Sequence, residues 1–382
     1  MKIVFNTKSL IKGNSQDKYF LPGLIQTMIL NCPGQEFIIL TDRADQALYL
    51  FDESVTTLII RQPVRHPLLR KLWFDFRLPA ILKKNKADVF VTCDEFCSLT
   101  TRTPQCLLLY DLNLFYNPNP TVTKTSRVFL NKRYVTKFLQ KSNVIVTVSA
   151  SVKKKLSLDY KIQDDKINVV YPAAREVYLP LDEREKDVTK AKYTDAKSYF
   201  VYNGDLQSPK NLLNLLKAFS IFKKRQKSNW KLVLTGTPEK NSKSFTESLK
   251  TYKYRDDIVL TGFLGEEDLV KVTGSAYASL CPVQWERIGA TVLEAMKCHV
   301  PVITVTNPII KEIAGDAALY VNPDDPADIA EKIMLLYKDE TLRNNLVENG
   351  KAVVMNHSWN RAADVVWQSI QQAYASTGEP KE

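Results

Sequence analysis

Short apolar runs alternate with segments of helical periodicity along most of this chain of 382 residues. Short apolar runs predict buried strands, and a helix between successive strands predicts parallel pairing. The pattern therefore predicts an α/β fold with doubly wound parallel sheets. The predicted strands are Lys2–Asn6, Glu36–Leu40, Ala87–Val91, Cys106–Tyr110, Val144–Val148, Ile167–Tyr171, Tyr199–Asn203, Lys231–Thr235, Ile258–Thr261, Tyr277–Leu280 and Val302–Val305.

The chain length suits two domains, and one charged stretch separates two sets of predicted strands. Residues 173–198, AAREVYLPLDEREKDVTKAKYTDAKS, lack periodic apolar residues, which is typical of an interdomain linker. We therefore expect one Rossmann-like domain over 1–172 and a second over 199–357. Helices of the first domain are predicted at Leu68–Lys84, Lys124–Leu139 and Ser151–Leu158.

The net charge of +11 favours anionic partners: nucleotide phosphates, anionic lipid or nucleic acid. A nucleic-acid-binding protein is one alternative, although no RRM, OB or helix-turn-helix pattern is present. The chain has no apolar run long enough to span a membrane, and MKIVFNTKSL does not have the pattern of a signal peptide, so we expect a cytoplasmic protein. The cysteines show no disulfide or metal-site spacing and are expected to be unpaired thiols: Cys32, Cys93, Cys97, Cys106, Cys281 and Cys298.

Three predicted strands of the second half end in glycine: Gly204, Gly236 and Gly262. Ligands bind beyond the carboxyl ends of parallel strands, but glycines also make tight turns there. After the first of them, Ser208 and Pro209 predict a helix start, which puts Lys210 in the first helical turn. A cation there opposes the helix dipole, so Lys210 is either simply solvated or joins the first-turn amides in binding an anion.

The segment WERIGATVLEAMK places two carboxylates, Glu286 and Glu294, on either side of Gly289. A helix is predicted from Ala290 or Thr291, so the amides of 289–291 have no intrahelical partner and form a second candidate anion site. Carboxylates accept paired hydrogen bonds from vicinal hydroxyls, so the spacing suits a phosphate held between two hydroxyl-bearing rings. A capping Glu286 and a surface Glu294 explain the same spacing equally well.

The E-x7-E spacing of ERIGATVLE, followed by AMKCHVPVI, resembles the donor-site signature of retaining GT-B glycosyltransferases, especially glycosyltransferase family 4. In the same half, YNGDLQSPKNLLNLLKAF, LTGFLGEEDLVKV and EIAGDAALYVNPDDPADIAEKI also resemble family segments. LLLYDLNLFYNP and VIVTVSASVKKKL do so in the first half. The resemblance implies a GT-B fold, in which two Rossmann-like doubly wound domains face each other across a cleft.

The resemblance also implies roles on the donor side. Glu294 would bind the ribose hydroxyls of a nucleotide-sugar, and Glu286 would contact the transferred sugar. Lys210 would neutralise the diphosphate, and Gly204 and Asp205 would lie beside the donor. The amides offered to the diphosphate would come from Gly289, Ala290 and Thr291.

On the acceptor side, the resemblance implies that Asp111 and Tyr110 lie across the cleft, with Gly13 and Asn14 in the loop of the N-terminal domain. The last helix, 358–376, would return to that domain. The implied activity is retaining transfer of a hexose from a UDP- or GDP-sugar to a glycan or lipid-linked acceptor in cell-surface polysaccharide assembly. Neither a cofactor nor a metal is expected, because lysine and helix amides serve the diphosphate.

Several residues depart from the family pattern. Tyr110 replaces a histidine, Asp205 stands where an arginine often follows the glycine, and His299 replaces a small glycine. Arg287 stands where the family pattern has a glycine. We hypothesise that its guanidinium replaces the arginine that is missing at Asp205, since arginine binds phosphates in bidentate fashion. These departures leave an alternative open: a catalytically impaired pseudoenzyme that binds nucleotide or glycan, or that supports a partner transferase.

Residues 65–86, RHPLLRKLWFDFRLPAILKKNK, are basic and aromatic, with a helical face of Leu68, Leu69, Leu72, Trp73 and Phe76. Such a helix can lie on the inner face of an anionic membrane and bring a lipid-linked acceptor to the active site. The second interpretation is a core helix with lysines on its solvated side. Amphipathic helices are common in α/β domains, which favours the second interpretation.

Overall fold

The computed structural model describes residues 1–7, 20–41, 55–62, 67–93, 96–110, 132–204, 206, 209–236, 243–282 and 288–376. These residues form two compact units. The first contains the described residues of 1–172 together with the chain from Trp359, and the second contains those of 173–358. Each unit is built around its own parallel sheet, which confirms the predicted α/β class with two doubly wound domains.

The first sheet has the described strand order β3-β2-β1-β4-β5-β6-β7, with parallel pairing throughout. The order reverses between β1 and β4, which is the topological switch point of a Rossmann-like sheet. Its strands are β1 (Lys2–Asn6), β2 (Glu36–Thr41), β3 (Thr56–Ile59), β4 (Val89–Thr92), β5 (Gln105–Leu109), β6 (Val144–Thr147) and β7 (Ile167–Val169).

The second sheet has the described strand order β10-β9-β8-β11-β12-β13 and is also parallel. Its switch point lies between β8 and β11, because β9 and β10 lie on one side of β8 whereas β11, β12 and β13 lie on the other. Its strands are β8 (Tyr199–Asn203), β9 (Lys231–Thr235), β10 (Ile258–Leu260), β11 (Ala278–Cys281), β12 (Val302–Val305) and β13 (Ala318–Val321).

Most of the described helices lie between consecutive strands, and the last three follow the final strand. None that is described is long and apolar enough to cross a bilayer. A π-helical turn, Trp73–Arg77, joins α2 to α3. The described α-helices are α1 (Phe20–Asn31), α2 (Pro67–Leu72), α3 (Leu78–Lys84), α4 (Lys132–Lys141), α5 (Ala150–Tyr160), α6 (Glu183–Thr194), α7 (Pro209–Gln226), α8 (Lys243–Lys250), α9 (Glu266–Gly274), α10 (Ala290–Lys297), α11 (Pro308–Ala314), α12 (Pro326–Lys338), α13 (Glu340–Asn356) and α14 (Trp359–Ala375).

Both faces of the second sheet are buried, as the continuous apolar strands require. Side chains alternate along β8, so Phe200 and Tyr202 face one side and Tyr199 and Val201 face the other. Helices α7 and α12 cover the first side. Residues of α9 and α10 belong to the core on the opposite side.

Segment 173–198, for which the sequence predicts a linker, is folded as part of the second unit. The Tyr178 side chain is fully buried in the core shared with α9 and α10. Helix α6 follows and starts with a capping box between Asp182 and Glu185. Hydrophobic periodicity did not reveal α6 because the helix buries only Thr189 and Thr194. The Asp-x-x-Glu spacing of this capping box is the sequence signal that could have revealed the start of α6.

Helix α14 packs within the first unit, against α1. The Trp359 ring lies 6.0 Å from the Phe20 ring and covers Gly23, where a Cβ atom would lie 3.0 Å from the indole. The other end is tied to β7 by a hydrogen bond from Asn168 Nδ2 to Ser369 Oγ at 2.8 Å. The last helix therefore completes the first unit, although it follows the second in sequence.

We predict that Tyr178→Ala destabilises the second unit by about 3 kcal/mol, because it empties a large site in a packed core. Val188→Ala is the matched control: Val188 lies in the same segment but is 62% exposed, so its loss should change stability by less than about 0.5 kcal/mol. Calorimetric melting of both variants provides the measurement. If both variants melt at nearly the same temperature as the unmodified protein, the segment behaves as a linker.

Candidate functional site

The candidate site lies at the switch point of the second sheet. β8 and β11 are parallel neighbours there, so their carboxyl ends meet at one edge. Gly204 follows β8, and α7 begins at Pro209 with Lys210 in its first turn. Gly289 and Ala290 begin α10 after β11. The two helix starts that the sequence identifies as anion sites therefore follow adjacent strands.

The glycines that end β8, β9 and β10 each have a local explanation. The Gly236 amide donates to the Gly262 carbonyl at 2.9 Å, and both residues have positive φ. A Cβ atom at Gly204 would lie 2.8 Å from the Tyr202 ring. Backbone pairing and close packing thus account for these glycines, and they give no separate support to a ligand site.

The end of β8 is held in place by the Asn203 side chain. Its Nδ2 donates to Thr273 Oγ1 on α9 at 2.7 Å, and its Oδ1 accepts from Thr235 Oγ1 at 3.1 Å. These bonds tie β8 to the end of β9 and to α9. The backbone that leads towards Lys210 therefore starts from a fixed point.

The start of α10 has the features of an anion site. Gly289 is its N-cap with φ 74°, and as a glycine it has no side chain of its own to cap the first-turn amides. A Cβ atom at Gly289 would lie 3.0 Å from Ile313 Cδ1, so both conformation and packing require glycine. The Thr291 hydroxyl is buried and has no hydrogen-bond partner among the described residues. First-turn amides and this hydroxyl can bind one anion together.

Glu294 lies one turn further into α10 and is 4% exposed, so the alternative of a surface carboxylate is wrong. Its Oε1 accepts a hydrogen bond of 2.6 Å from Nε of Arg175. Arg175 precedes α6 in the segment that the sequence predicts to be a linker. No local pattern indicated this ion pair, because its two residues are separated by 119 positions.

Arg175 has a separate partner for each nitrogen of its guanidinium group. Besides Glu294, it donates from Nη1 to Glu266 Oε1 on α9 and from Nη2 to the Tyr178 hydroxyl, both at 2.8 Å. Its guanidinium carbon also lies 4.8 Å from the centre of the Tyr178 ring. The arginine is therefore fixed from α9, from α10 and from its own segment.

Burial and charge oppose each other within this cluster. Burial raises the pKa of the Glu294 carboxyl, while the hydrogen bond and charge of Arg175 act against this rise. Burial also disfavours the charge on Arg175, but Glu294, Tyr178 and Glu266 outweigh it and raise the pKa of the guanidinium. Removing either partner of the ion pair would leave a largely buried charge uncompensated.

Lys297, at the end of α10, provides a second link between the same two segments. Its Nζ lies 2.7 Å from Glu176 Oε2 and 3.3 Å from the Arg175 carbonyl. This link fastens the backbone at residues 175 and 176 to α10. No hydrogen bond or ion pair joins Lys297 to Glu294 in the described structure.

His299, a departure from the family pattern, lies just beyond the end of α10. Its amide donates to the Met296 carbonyl at 3.0 Å, and its φ of 61° is left-handed, a conformation that glycine adopts with less strain. Burial and the charge of Lys351 lower the pKa of its imidazole. His299 therefore follows the C-terminus of α10, and a positive charge on its imidazole is disfavoured there.

The remaining predicted residues are only partly described. Tyr110 follows β5 and is half-buried, while for Lys210 only the helical backbone position is described. Among the described residues, no group of three or more His, Cys, Asp or Glu is arranged to hold a metal ion. The predicted residues that lie outside the described part are Gly13, Asn14, Asp111, Asp205, Glu286 and Arg287.

Two family models match this chain in adjoining regions. Residues 33–174 match the model described as Glycosyltransferase Family 4, and residues 183–353 match the one described as Glycosyl transferases group 1. O-antigen chain mannosyltransferase B of Escherichia coli is 25% identical over 251 residues. That match covers 65% of this chain and 65% of the relative, which is less than two thirds of the relative's length.

Solved structures resemble the whole chain. Sucrose-phosphate synthase from Thermosynechococcus elongatus has a TM-score of 0.77 at 16% identity and covers 98% of this chain and 100% of its own. HepE from Anabaena, solved with UDP and glucose, has a TM-score of 0.72 at 14% identity and covers 99% of this chain and 100% of its own. At such identities the likeness is one of fold, and it confirms the predicted GT-B class.

We predict that Gly289→Ala destabilises the protein by about 1–3 kcal/mol and weakens nucleotide binding. The reason is the left-handed strain, together with a methyl group forced against Ile313 and Ile310, which displaces the first-turn amides of α10. Gly265→Ala is the matched control, because Gly265 caps α9 with φ −62° and a Cβ atom added there would have no described atom within 4 Å. Denaturant unfolding and nucleotide titration of both variants test this, and equal behaviour would contradict it.

Proposed function

Because this chain belongs to glycosyltransferase family 4, we propose that it transfers a hexose from a nucleoside diphosphate sugar to a glycan or lipid-linked acceptor. We propose retention of configuration at the anomeric carbon. The observation that carries the proposal is the start of α10, where a glycine N-cap that has no side chain and a buried Thr291 hydroxyl precede a buried carboxylate, Glu294.

The donor would be bound at the carboxyl edge of the second sheet. Glu294 accepts hydrogen bonds from the ribose hydroxyls, and the α10 start binds the diphosphate together with Lys210 of α7. The leaving group gains negative charge as the sugar departs, and helix amides with a lysine stabilise that charge. A metal ion is not required in this proposal. Glu286 contacts the transferred sugar, and Arg287 supplies a further cation to the diphosphate.

The acceptor would react on the same face of the sugar that the diphosphate leaves. Tyr110 hydrogen-bonds the sugar or the acceptor but is a poor base at neutral pH, since tyrosine titrates near pH 10. We therefore propose that the departing phosphate takes the acceptor proton, and that Asp111, which follows Tyr110 in the sequence, acts with it on the acceptor. We propose that Gly13 and Asn14 also contribute to the acceptor side.

The compared proteins support the substrate class. The Escherichia coli relative is named as an O-antigen chain mannosyltransferase, which supports a hexose as the transferred group and a cell-surface polysaccharide as the product. HepE was solved with UDP and glucose, which supports a uridine nucleotide as one candidate. UDP- and GDP-sugars therefore both belong in a test of the donor.

We predict that one nucleoside diphosphate among UDP, GDP and ADP, or one of their sugars, raises the melting temperature in a dose-dependent way. The shift should persist in EDTA, because the proposal requires no metal ion. A parallel titration with added Mg²⁺ checks whether the metal changes the shift. Glu294→Ala should abolish the shift. Glu267→Ala is the control, because that carboxylate lies in the same turn of α9 as Glu266 but pairs with Lys271 and not with Arg175. No shift with any nucleotide would overturn the proposed donor site.

The stretch 67–84 gives the acceptor side an exposed apolar surface. Trp73 and Phe74 are buried, so Trp73 does not share the predicted face. The remaining residues of that face are exposed: Leu68, Leu69, Leu72 and Phe76. The same stretch exposes the cations Arg77, Lys83 and Lys84. The interpretation as a purely core helix with a basic outer side is therefore incomplete, because the outer side carries large apolar groups.

Hydrogen bonds to Asp75, in the π-helical turn, hold the stretch so that these apolar side chains are exposed to solvent. Its Oδ1 accepts from the Leu99 amide at 2.8 Å and its Oδ2 accepts from Lys71 Nζ at 3.0 Å. Arg70 also lies 4.2 Å from the centre of the Phe96 ring. These contacts fix the rotation of the helical stretch. We propose that its exposed side rests on an anionic membrane and gives the enzyme access to a lipid-linked acceptor.

We predict that the protein co-sediments with phosphatidylglycerol vesicles at low salt and less so at high salt. The double variant Leu69→Asp/Phe76→Asp should weaken binding at least about tenfold, because each side chain loses apolar burial. Met355→Asp is the control, since Met355 is 78% exposed on α13, outside this surface. Absence of binding to anionic vesicles at low salt would remove the membrane contact from the proposal.

A further inference from the structure

Arg175, the ion-pair partner of Glu294, does not itself contact the donor in the proposed site. A buried carboxylate is costly unless it is paired, and a flexible one cannot present a fixed acceptor to a ligand. Arg175 meets both needs, with Nε 2.6 Å from Oε1 and a side chain that is only 10% exposed. Glu294 lies on a helix, but Arg175 belongs to no helix or strand, so the guanidinium is held by its side-chain contacts and not by regular backbone geometry.

We propose that Arg175 is a positioning residue of the donor site, which orients Glu294 and holds it as a carboxylate for the ribose hydroxyls. The inference rests on the proposed function, because it assigns Arg175 a part in the same nucleotide site. It goes beyond that function by naming a residue, outside both helix starts, on which ribose recognition depends.

The geometry of the guanidinium supports this role. Nε is bonded to Glu294, Nη1 to Glu266 and Nη2 to the Tyr178 hydroxyl, so the planar group cannot rotate without breaking several bonds. Tyr178 is itself fixed, because its side chain is fully buried. A guanidinium held in this way fixes the position of Oε1, and with it the plane of the Glu294 carboxylate. Lysine has a single nitrogen and cannot reproduce the fork.

The charge of Arg175 matters as much as its shape. Burial alone would favour the neutral acid, and the nearby guanidinium favours the carboxylate. Hydrogen bonds from hydroxyls to a charged acceptor are stronger than those to a neutral one. Loss of Arg175 should therefore weaken the hydrogen bonds to ribose while leaving the diphosphate contacts at the start of α10 in place.

The test measures ribose preference, defined as the Kd of the 2′,3′-dideoxy nucleotide divided by the Kd of the ribonucleotide. UDP and GDP are each titrated against their dideoxy analogues by calorimetry, with the full chain. Arg175→Met should lower the preference at least about tenfold, as expected for a lost charged hydrogen bond. Affinity for the dideoxy analogue should stay within about twofold, because that ligand makes no bond to Glu294.

Lys297→Met is the matched control. Lys297 holds the same segment to α10 through Glu176 and the Arg175 carbonyl, without a described bond to Glu294. If Arg175 only anchored the segment, both variants would behave alike. We expect Lys297→Met to keep the ribose preference of the unmodified protein.

Arg175→Lys covers the case in which Arg175→Met fails to fold. It keeps the charge but not the fork, so its preference should fall between those of the unmodified protein and Arg175→Met. If Arg175→Met does not fold, a lowered preference in Arg175→Lys supports the inference. An unchanged preference in any folded Arg175 variant overturns the inference alone. If the unmodified protein binds no nucleotide, the proposed function fails as well, so the two failures are distinguishable.

Discussion

The parallel pairing of β8 with β11 is the interaction on which the arrangement of the second unit depends. It brings the carboxyl ends of two strands that are distant in sequence to one edge of the sheet. Helices α7 and α10 follow those strands, and α9 contributes Glu266 from its first turn. The first-turn amides and the buried Thr291 hydroxyl then lie on helices that this one hydrogen-bonded ladder positions, and Glu294 of α10 meets the charges of Glu266 and Arg175 there.

Much of this fold could be predicted from the sequence, because buried parallel strands leave a clear apolar signal. β1, β8, β9 and β12 have the predicted bounds. β3 and β13 were not predicted: they are short edge strands with half-exposed side chains, so their patterns are weak. Helix α6 was missed for a related reason, since its stability comes from caps and surface charges more than from an apolar face.

The candidate site was predicted less completely. Local patterns identified the start of α10 and Glu294, because a glycine, a helix start and a carboxylate lie close together in sequence. Local patterns did not identify Arg175 or Tyr178, since their contacts with α9 and α10 arise only when the chain folds back. The three strand-end glycines left two interpretations open, a ligand and tight turns, and backbone pairing and packing give them a local explanation without deciding between the two.

The burial of Tyr178 and the ion pair of Arg175 also determine where this chain can be divided. A fragment that starts at Tyr199 would lose Arg175, Tyr178 and α6, and it would expose core surface on α9 and α10. A fragment that starts at Ala173 would keep them. Exchange of the second unit between related proteins therefore has a natural joint before Ala173, and a crossover between Tyr178 and Tyr199 would pair Glu294 with an arginine segment from the other protein.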